Sequence, residues 1–157
     1  MAMATHEAVK AEAVHLVEMV FPNATNHYGT MFGGKVLEMM DRAAFIAATR
    51  FCRLAVVTAS TERIDFLVPV KQGYLVELVA KVVFAGRTSL SVKVELFAEH
   101  PQAEGKELAT TGYFHMVALG PDGRPAQVPT LACLTDDDAA EVAHVVAMRN
   151  ARKEADQ

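Results

Sequence analysis

One stretch limits what this chain can fold into. From Gly33 to Cys52 it reads GGKVLEMMDRAAFIAATRFC, without proline, rich in Ala, Leu and Met, and apolar nearly all round. Such a segment predicts a buried helix rather than an amphipathic surface helix. After Cys52 the hydrophobic period changes to that of strands. Residues 54–70 are rich in β-branched side chains and alternate at Ile64, Phe66 and Val68. Residues 74–85 predict a further strand, entered through Gln72-Gly73. Residues 87–99 alternate most cleanly: Thr88, Leu90, Val92, Val94 and Leu96 share one face, and Ser89, Ser91, Lys93 and Glu95 the other. Residues 107–120 predict the last strand, closed by Pro-Asp-Gly. Ahead of the helix, residues 12–21 predict a first strand, and the Pro, Asn and Gly of residues 22–30 mark a loop. Residues 136–155 predict a terminal helix, acidic at its start and basic near its end, as its dipole favours.

A single central helix with no second helical layer needs a cover, and the long antiparallel strands are the material available. A sheet wrapped round the helix, its outer face free for other subunits, is the α+β hotdog arrangement. At 157 residues one domain is the simplest organisation. The division expected is a flexible N-terminus at 1–11, the hotdog domain at 12–131 and a C-terminal helical extension at 132–157.

Hydrophobic residues at 52% and charged residues at 22% are enough for a packed core and argue against disorder as the main state. A net charge of -4 with scattered basic residues argues against nucleic acid as a partner. No apolar run approaches the roughly 20 residues of a membrane span. The first residues hold no apolar core of a signal peptide. No membrane insertion and a cytoplasmic location are therefore expected. Cys52 and Cys133 read as isolated thiols, buried hydrophobes rather than a disulfide. Neither has a Cys or His at ligand spacing, so no metal is expected.

The odd residue in the apolar helix is Asp41, set among Met39, Met40, Ala43, Ala44 and Phe45. A carboxylate there costs several kcal/mol unless it is paired, hydrogen-bonded or protonated. It reads either as part of a wet stripe with Glu38 and Arg42 or as an acid or base facing an apolar tunnel. Gly33-Gly34 at the helix start is either tight packing or a pair of free amides able to hold developing negative charge. Asn26, in Asn-x-x-Gly, is by itself a turn former. His115 lies in a strand and reads as structural.

The run Asn26-His27-Tyr28-Gly29-Thr30-Met31-Phe32-Gly33-Gly34, followed by Leu37-Glu38-Met39-Met40-Asp41, resembles the acyl-CoA thioester hydrolases, both single-hotdog bacterial enzymes and tandem-hotdog cytosolic enzymes of animals. The likeness continues through residues 56–70, 73–96, 110–125 and 128–129. It implies hydrolysis of fatty acyl-CoA to fatty acid and coenzyme A, with the coenzyme part of the substrate and no further cofactor. Asn26 and Asp41 match the family's two catalytic residues. In the tandem members these lie in different hotdog domains, so here a homodimer would complete the pair, and trimers of dimers, hexamers, are expected. Asp41 would be general base or nucleophile, Asn26 would position the water or the carbonyl, and the Gly34 N–H would polarise the carbonyl. The turn Gly86-Arg87-Thr88-Ser89 matches the segment near the CoA nucleotide; an Arg beside hydroxyls and a Gly backbone also suits phosphate. The alternative is a plain hairpin turn. Thr30 and Met31 stand where some members carry an acidic or other residue. A non-catalytic acyl-CoA sensor on the same fold is the competing reading, and it would need no base. A dehydratase would need a His at the helix start, where the match at Asn26 is better.

Overall fold

The computed structural model describes residues 7–157. Its elements are β1 (Val14–Met19), α1 (Gly33–Cys52), β2 (Ala55–Thr61), β3 (Leu75–Ala85), β4 (Ser89–Glu99), β5 (Glu107–Leu119) and α2 (Asp136–Ala155). The five strands form one antiparallel sheet in the order β1-β3-β4-β5-β2. α1 lies against all five. This is the expected α+β hotdog architecture, with a curled sheet round a long helix and a second helix at the C-terminus.

Alternation builds the core. Val76, Leu78, Ala80 and Val82 of β3, Leu90, Val92, Val94 and Leu96 of β4, and Phe114, Met116 and Ala118 of β5 meet Met40, Ala43, Ala44, Ala47 and Ala48 of α1. The small Ala side chains let the helix axis come close to the sheet. Gly112 makes the closest approach possible, since a Cβ there would stand 2.9 Å from the Met40 methyl. Truncating a fully buried side chain such as Met40 or Leu78 would cost about 2–5 kcal/mol.

The helix is not buried all round. One face is sealed by the sheet, while Lys35, Leu37, Glu38, Asp41, Arg42 and Phe45 are exposed. The sheet curls round one side only, and among the described residues no element covers the other. α1 ends at Arg53, whose backbone is left-handed (φ 55°) and whose N–H donates to Thr49 O at 2.7 Å.

Residues 62–70 also depart from the alternation they display. They are extended but not a strand, tied to β5 by two backbone bonds, Glu62 N to Tyr113 O and Leu67 N to Ala109 O, and by two side-chain bonds, Thr110 Oγ1 donating to Asp65 O at 2.7 Å and His115 to Glu62. Of the residues read as a loose start, 1–6 lie outside the described residues, and Val9 bridges Leu131. Cys52 is buried, with its thiol pushed up by that burial, whereas Cys133 is exposed rather than a buried hydrophobe; both are free.

α2 crosses the other face of the sheet, and its grip is polar. Only Val145 of α2 is fully buried. Lys81 pairs with Asp138 (3.1 Å), Lys93 with Glu141, and the Tyr113 hydroxyl donates to Glu141 at 2.9 Å. Burial and then Glu141 hold the Tyr113 phenol well above its usual range. Thr135 closes a capping box with Asp138. Among the described residues, no helix is long and apolar enough to cross a membrane.

Candidate active site

Asp41 sits on the open face of α1 and is exposed in the single chain, not buried as its apolar neighbours suggested. Its carboxylate is nonetheless fixed. The Thr58 hydroxyl donates to Oδ1 at 2.6 Å, the short separation of a charge-assisted bond. Thr58 reaches α1 because of an irregularity in β2. Thr58 pairs with Met116 and Ser60 with His115, so Ala59 is an extra residue in the ladder. A bulge of this kind re-aims the side chains beside it. Thr58 therefore faces α1, while Ser60 faces α2 and accepts from Arg152 at 2.8 Å. Leu37, four residues before Asp41, and Phe45, four residues after it, share its face and are 38% and 47% exposed. The carboxylate thus stands in a mixed stripe, with Leu37 and Phe45 on one side and the ion-paired Lys35, Glu38 and Arg42 beside them.

The start of α1 is open. Phe32 provides no side-chain cap, and the N–H groups of Gly33 and Gly34 have no acceptor among the described residues. A side chain at residue 34 would meet nothing within 4 Å, whereas at residue 33 it would touch the Phe66 ring at 3.4 Å. Beside these amides lies a cavity of about 220 Å³, lined among others by Thr30, Met31, Val36, Phe66 and Val68. Met40 is wholly buried and belongs to the core, not to this cavity.

Asn26 shapes its own loop. Its Oδ1 accepts from the Tyr28 and Thr30 amides (2.9 and 3.2 Å) and its Nδ2 donates to Thr30 Oγ1 at 3.0 Å. One amide hydrogen remains free for a ligand. Within the chain no hydrogen bond joins Asn26 to Asp41 among the described residues.

The turn Gly86-Arg87-Thr88-Ser89 is closed by Gly86 N to Ser89 O at 2.8 Å, with Arg87 exposed. Reasoning from sequence missed its companion, Arg149 of α2. That side chain donates to Ser89 Oγ at 2.9 Å and stacks 4.6 Å over the Phe84 ring. Thr58 was missed as well. Both partners are remote in sequence, and neither carries a local signal.

A second constellation imitates catalysis. Ser91 Oγ lies 2.7 Å from His115 Nδ1, and His115 Nε2 lies 2.8 Å from Glu62 Oε1. The pattern is that of a nucleophile, base and orienting acid. Ser91, however, is wholly buried and His115 nearly so. No substrate reaches that hydroxyl, so the chain of bonds ties β4, β5 and the end of β2 together, and His115 is structural.

Comparison with known proteins bears on this arrangement directly. Residues 28–104 match the Thioesterase superfamily. The chain is 38% identical over 129 residues to the uncharacterized acyl-CoA thioester hydrolase YkhA of Bacillus subtilis, covering 82% of this chain and 75% of that one. Its fold is similar to that of a Staphylococcus aureus acyl-CoA hydrolase solved with butyryl-CoA and coenzyme A (TM-score 0.83, 34% identity, 92% and 90% covered). It is also similar to a hexameric acyl-CoA thioesterase (TM-score 0.86, 33% identity, 90% and 91% covered). With the hotdog fold, a fixed carboxylate on the open helix face and likeness at this level, the chain belongs to the acyl-CoA thioester hydrolases of the thioesterase superfamily.

Proposed function

We propose that this chain hydrolyses fatty acyl-CoA to the free acid and coenzyme A at a site shared by two copies, Asp41 from one and Asn26 from the other. The observation that carries the reading is the Thr58–Asp41 contact, a carboxylate held at 2.6 Å on the open face of α1. Thr58 occupies one carboxylate oxygen and leaves the other to take a proton, so Asp41 serves as general base. Water attacks the thioester carbonyl carbon and Asp41 accepts its proton. The oxyanion formed is held by the free amide of Gly34, helped by the helix dipole; loss of one such donor costs about 3 kcal/mol elsewhere. The C–S bond then breaks, and the departing coenzyme thiolate recovers the proton. Asn26 offers its spare amide hydrogen to the water or carbonyl. Gly86, Arg87, Thr88 and Ser89 face the nucleotide end of the coenzyme, which enters only as part of the substrate.

Two features support the shared site. Leu37 and Phe45 stand uncovered on either side of Asp41 in its stripe, and β2, next to it, is an edge strand with Val57 exposed. A second copy across this face would cover both. The Staphylococcus aureus hydrolase has also been solved as separate alanine variants of an asparagine, an aspartate and a threonine, in the order and at the spacings of Asn26, Asp41 and Thr58 here. The hexameric relative supports a hexamer, and three such dimers would build one.

The test is complementation. Asp41→Asn and Asn26→Ala should each lose at least about a hundredfold in turnover, read by thiol release from butyryl- and palmitoyl-CoA. Mixed and re-equilibrated, the two variants form heterodimers with one intact site, and activity should return to about a quarter of wild type. A mixture no more active than its parents would overturn the shared site; variants with wild-type turnover would overturn the assignment itself.

A further inference from the structure

Beneath the C-terminal half of α2 lies a cleft of about 220 Å³ on the face of the sheet opposite Asp41, its polar lining Ser60, Ser89, His115, Arg149, Arg152, Lys153 and Asp156. Resting on the hydrolase reading, we propose that this cleft seats a phosphate-bearing group, gripped by the three cations with Ser60 and Ser89 as neutral partners.

Charge that is not answered within the chain is the reason. Arg149 is half buried, and its five N–H donors meet one neutral oxygen, Ser89 Oγ, and one aromatic face. No carboxylate lies within 4 Å of it among the described residues. Its burial depresses the guanidinium's affinity for its proton, the mark of a desolvated cation without a counter-ion. Arg152 donates to Ser60 Oγ at 2.8 Å and to Thr61 O at 3.4 Å, and its acidic neighbour Glu62, already bonded to His115, stands off at 3.9 Å. Lys153 has no acid within 4 Å among the described residues, and α2 brings all three cations to one end of the cleft. Asp156 and Glu62 oppose them, which leaves the cluster positive.

Geometry then selects the anion. The volume suits one or two phosphates, not a whole nucleotide, so the rest of a ligand stays outside. Arginine's planar fork matches phosphate oxygens. The Arg149 Nη1 lies 3.5 Å from where a Cβ on Gly86 would stand. The cleft and the Gly86–Ser89 turn therefore form one surface, and a side chain at residue 86 would crowd Ser89 Oγ at 3.0 Å and touch Arg149. The phosphate could belong to the coenzyme or to a free anion, and the two sources can be told apart.

Calorimetric titrations of the full chain with coenzyme A, with its form lacking the 3′-phosphate, and with pyrophosphate, at constant ionic strength, test the cleft. Arg149→Gln and Arg152→Gln should each weaken binding about tenfold or more, and the exposed Lys153→Gln about threefold. Arg149→Lys keeps charge over Phe84 but loses the planar fork; it should bind more tightly than Arg149→Gln and less tightly than wild type, whereas equal loss in both would mean a packing defect. Weakening of coenzyme A and pyrophosphate together assigns the seat to the coenzyme's phosphates, with KM for acyl-CoA rising more than kcat falls. Weakening of pyrophosphate alone assigns it to a free anion. If Lys153→Gln and Arg152→Gln change neither ligand, the proposal is overturned. Should the wild type hydrolyse no acyl-CoA yet lose anion affinity in these variants, the hydrolase reading fails and the cleft stands.

Discussion

At Asp41 a single hydroxyl decides how the carboxylate is presented. Thr58 restrains one oxygen at 2.6 Å, so its removal should disorder the base without removing it. Thr58→Val is expected to lower kcat roughly tenfold to a hundredfold, with KM for acyl-CoA little changed. Thr58→Ser, which keeps the donor, should retain most of the rate. Equal loss in both variants would mean that Thr58 acts through packing. The same scale explains why Asp41 was legible as an odd residue and Thr58 was not. A carboxylate among Met and Ala is anomalous in any sequence, whereas a threonine in a β-branched strand is ordinary. Only the extra residue Ala59 turns it toward the helix.

Among the elements, the ends of the two helices differ in how well their sequences fit. α1 closes on Arg53 in a left-handed conformation that costs a non-glycine residue about 1–2 kcal/mol. Arg53→Gly relieves that and gives part back as unfolded-chain freedom. A net gain of about 0.5–1 kcal/mol is expected, visible as a higher denaturation midpoint. α2 is well capped, and its Asp138 carboxyl is held below the usual range by the Leu134 amide, then by Lys81 and the Thr135 amide. A carboxyl whose folded pKa is depressed contributes stability above its unfolded pKa, near 3.9, and loses it as pH falls through the folded value. Asp138→Asn should therefore show a smaller drop in denaturation midpoint between pH 7 and pH 3 than wild type does. An unchanged drop would remove Asp138 from the acid response. Both helices were readable to the residue from the sequence, because period, composition and caps are local. The strand expected across residues 62–70 was not realised, because alternation marks which side chains face inward and does not supply a pairing partner.

For the whole molecule, the two faces of the sheet carry different work. The inner face holds the apolar core and α1, and the outer face holds α2 through ion pairs and hydroxyls. The uncovered side of α1 is where a second copy is proposed. Leu37→Glu, two turns before Phe45, puts a charge into that stripe without touching the core, since Leu37 is 38% exposed. The variant should shift the assembly to smaller species in sedimentation experiments and lose activity in proportion. Full assembly with full activity would place the subunit contact elsewhere.

From the sequence alone came the hotdog architecture, the bounds of both helices and Gly34 and Asp41 as candidates, with Asn26 added by the family resemblance. Hydrophobic period, glycine and capping chemistry act over a few residues, and they are written in order along the chain. Only the tertiary structure decided which side of α1 is open, which hydroxyl holds Asp41 and which arginine lies on the Gly86–Ser89 turn. Thr58 and Asp41 are 17 residues apart and Ser89 and Arg149 are 60 apart. Contacts of that kind depend on how the strands are ordered and where a bulge falls, because the side chains meet only after the sheet has closed round the helix.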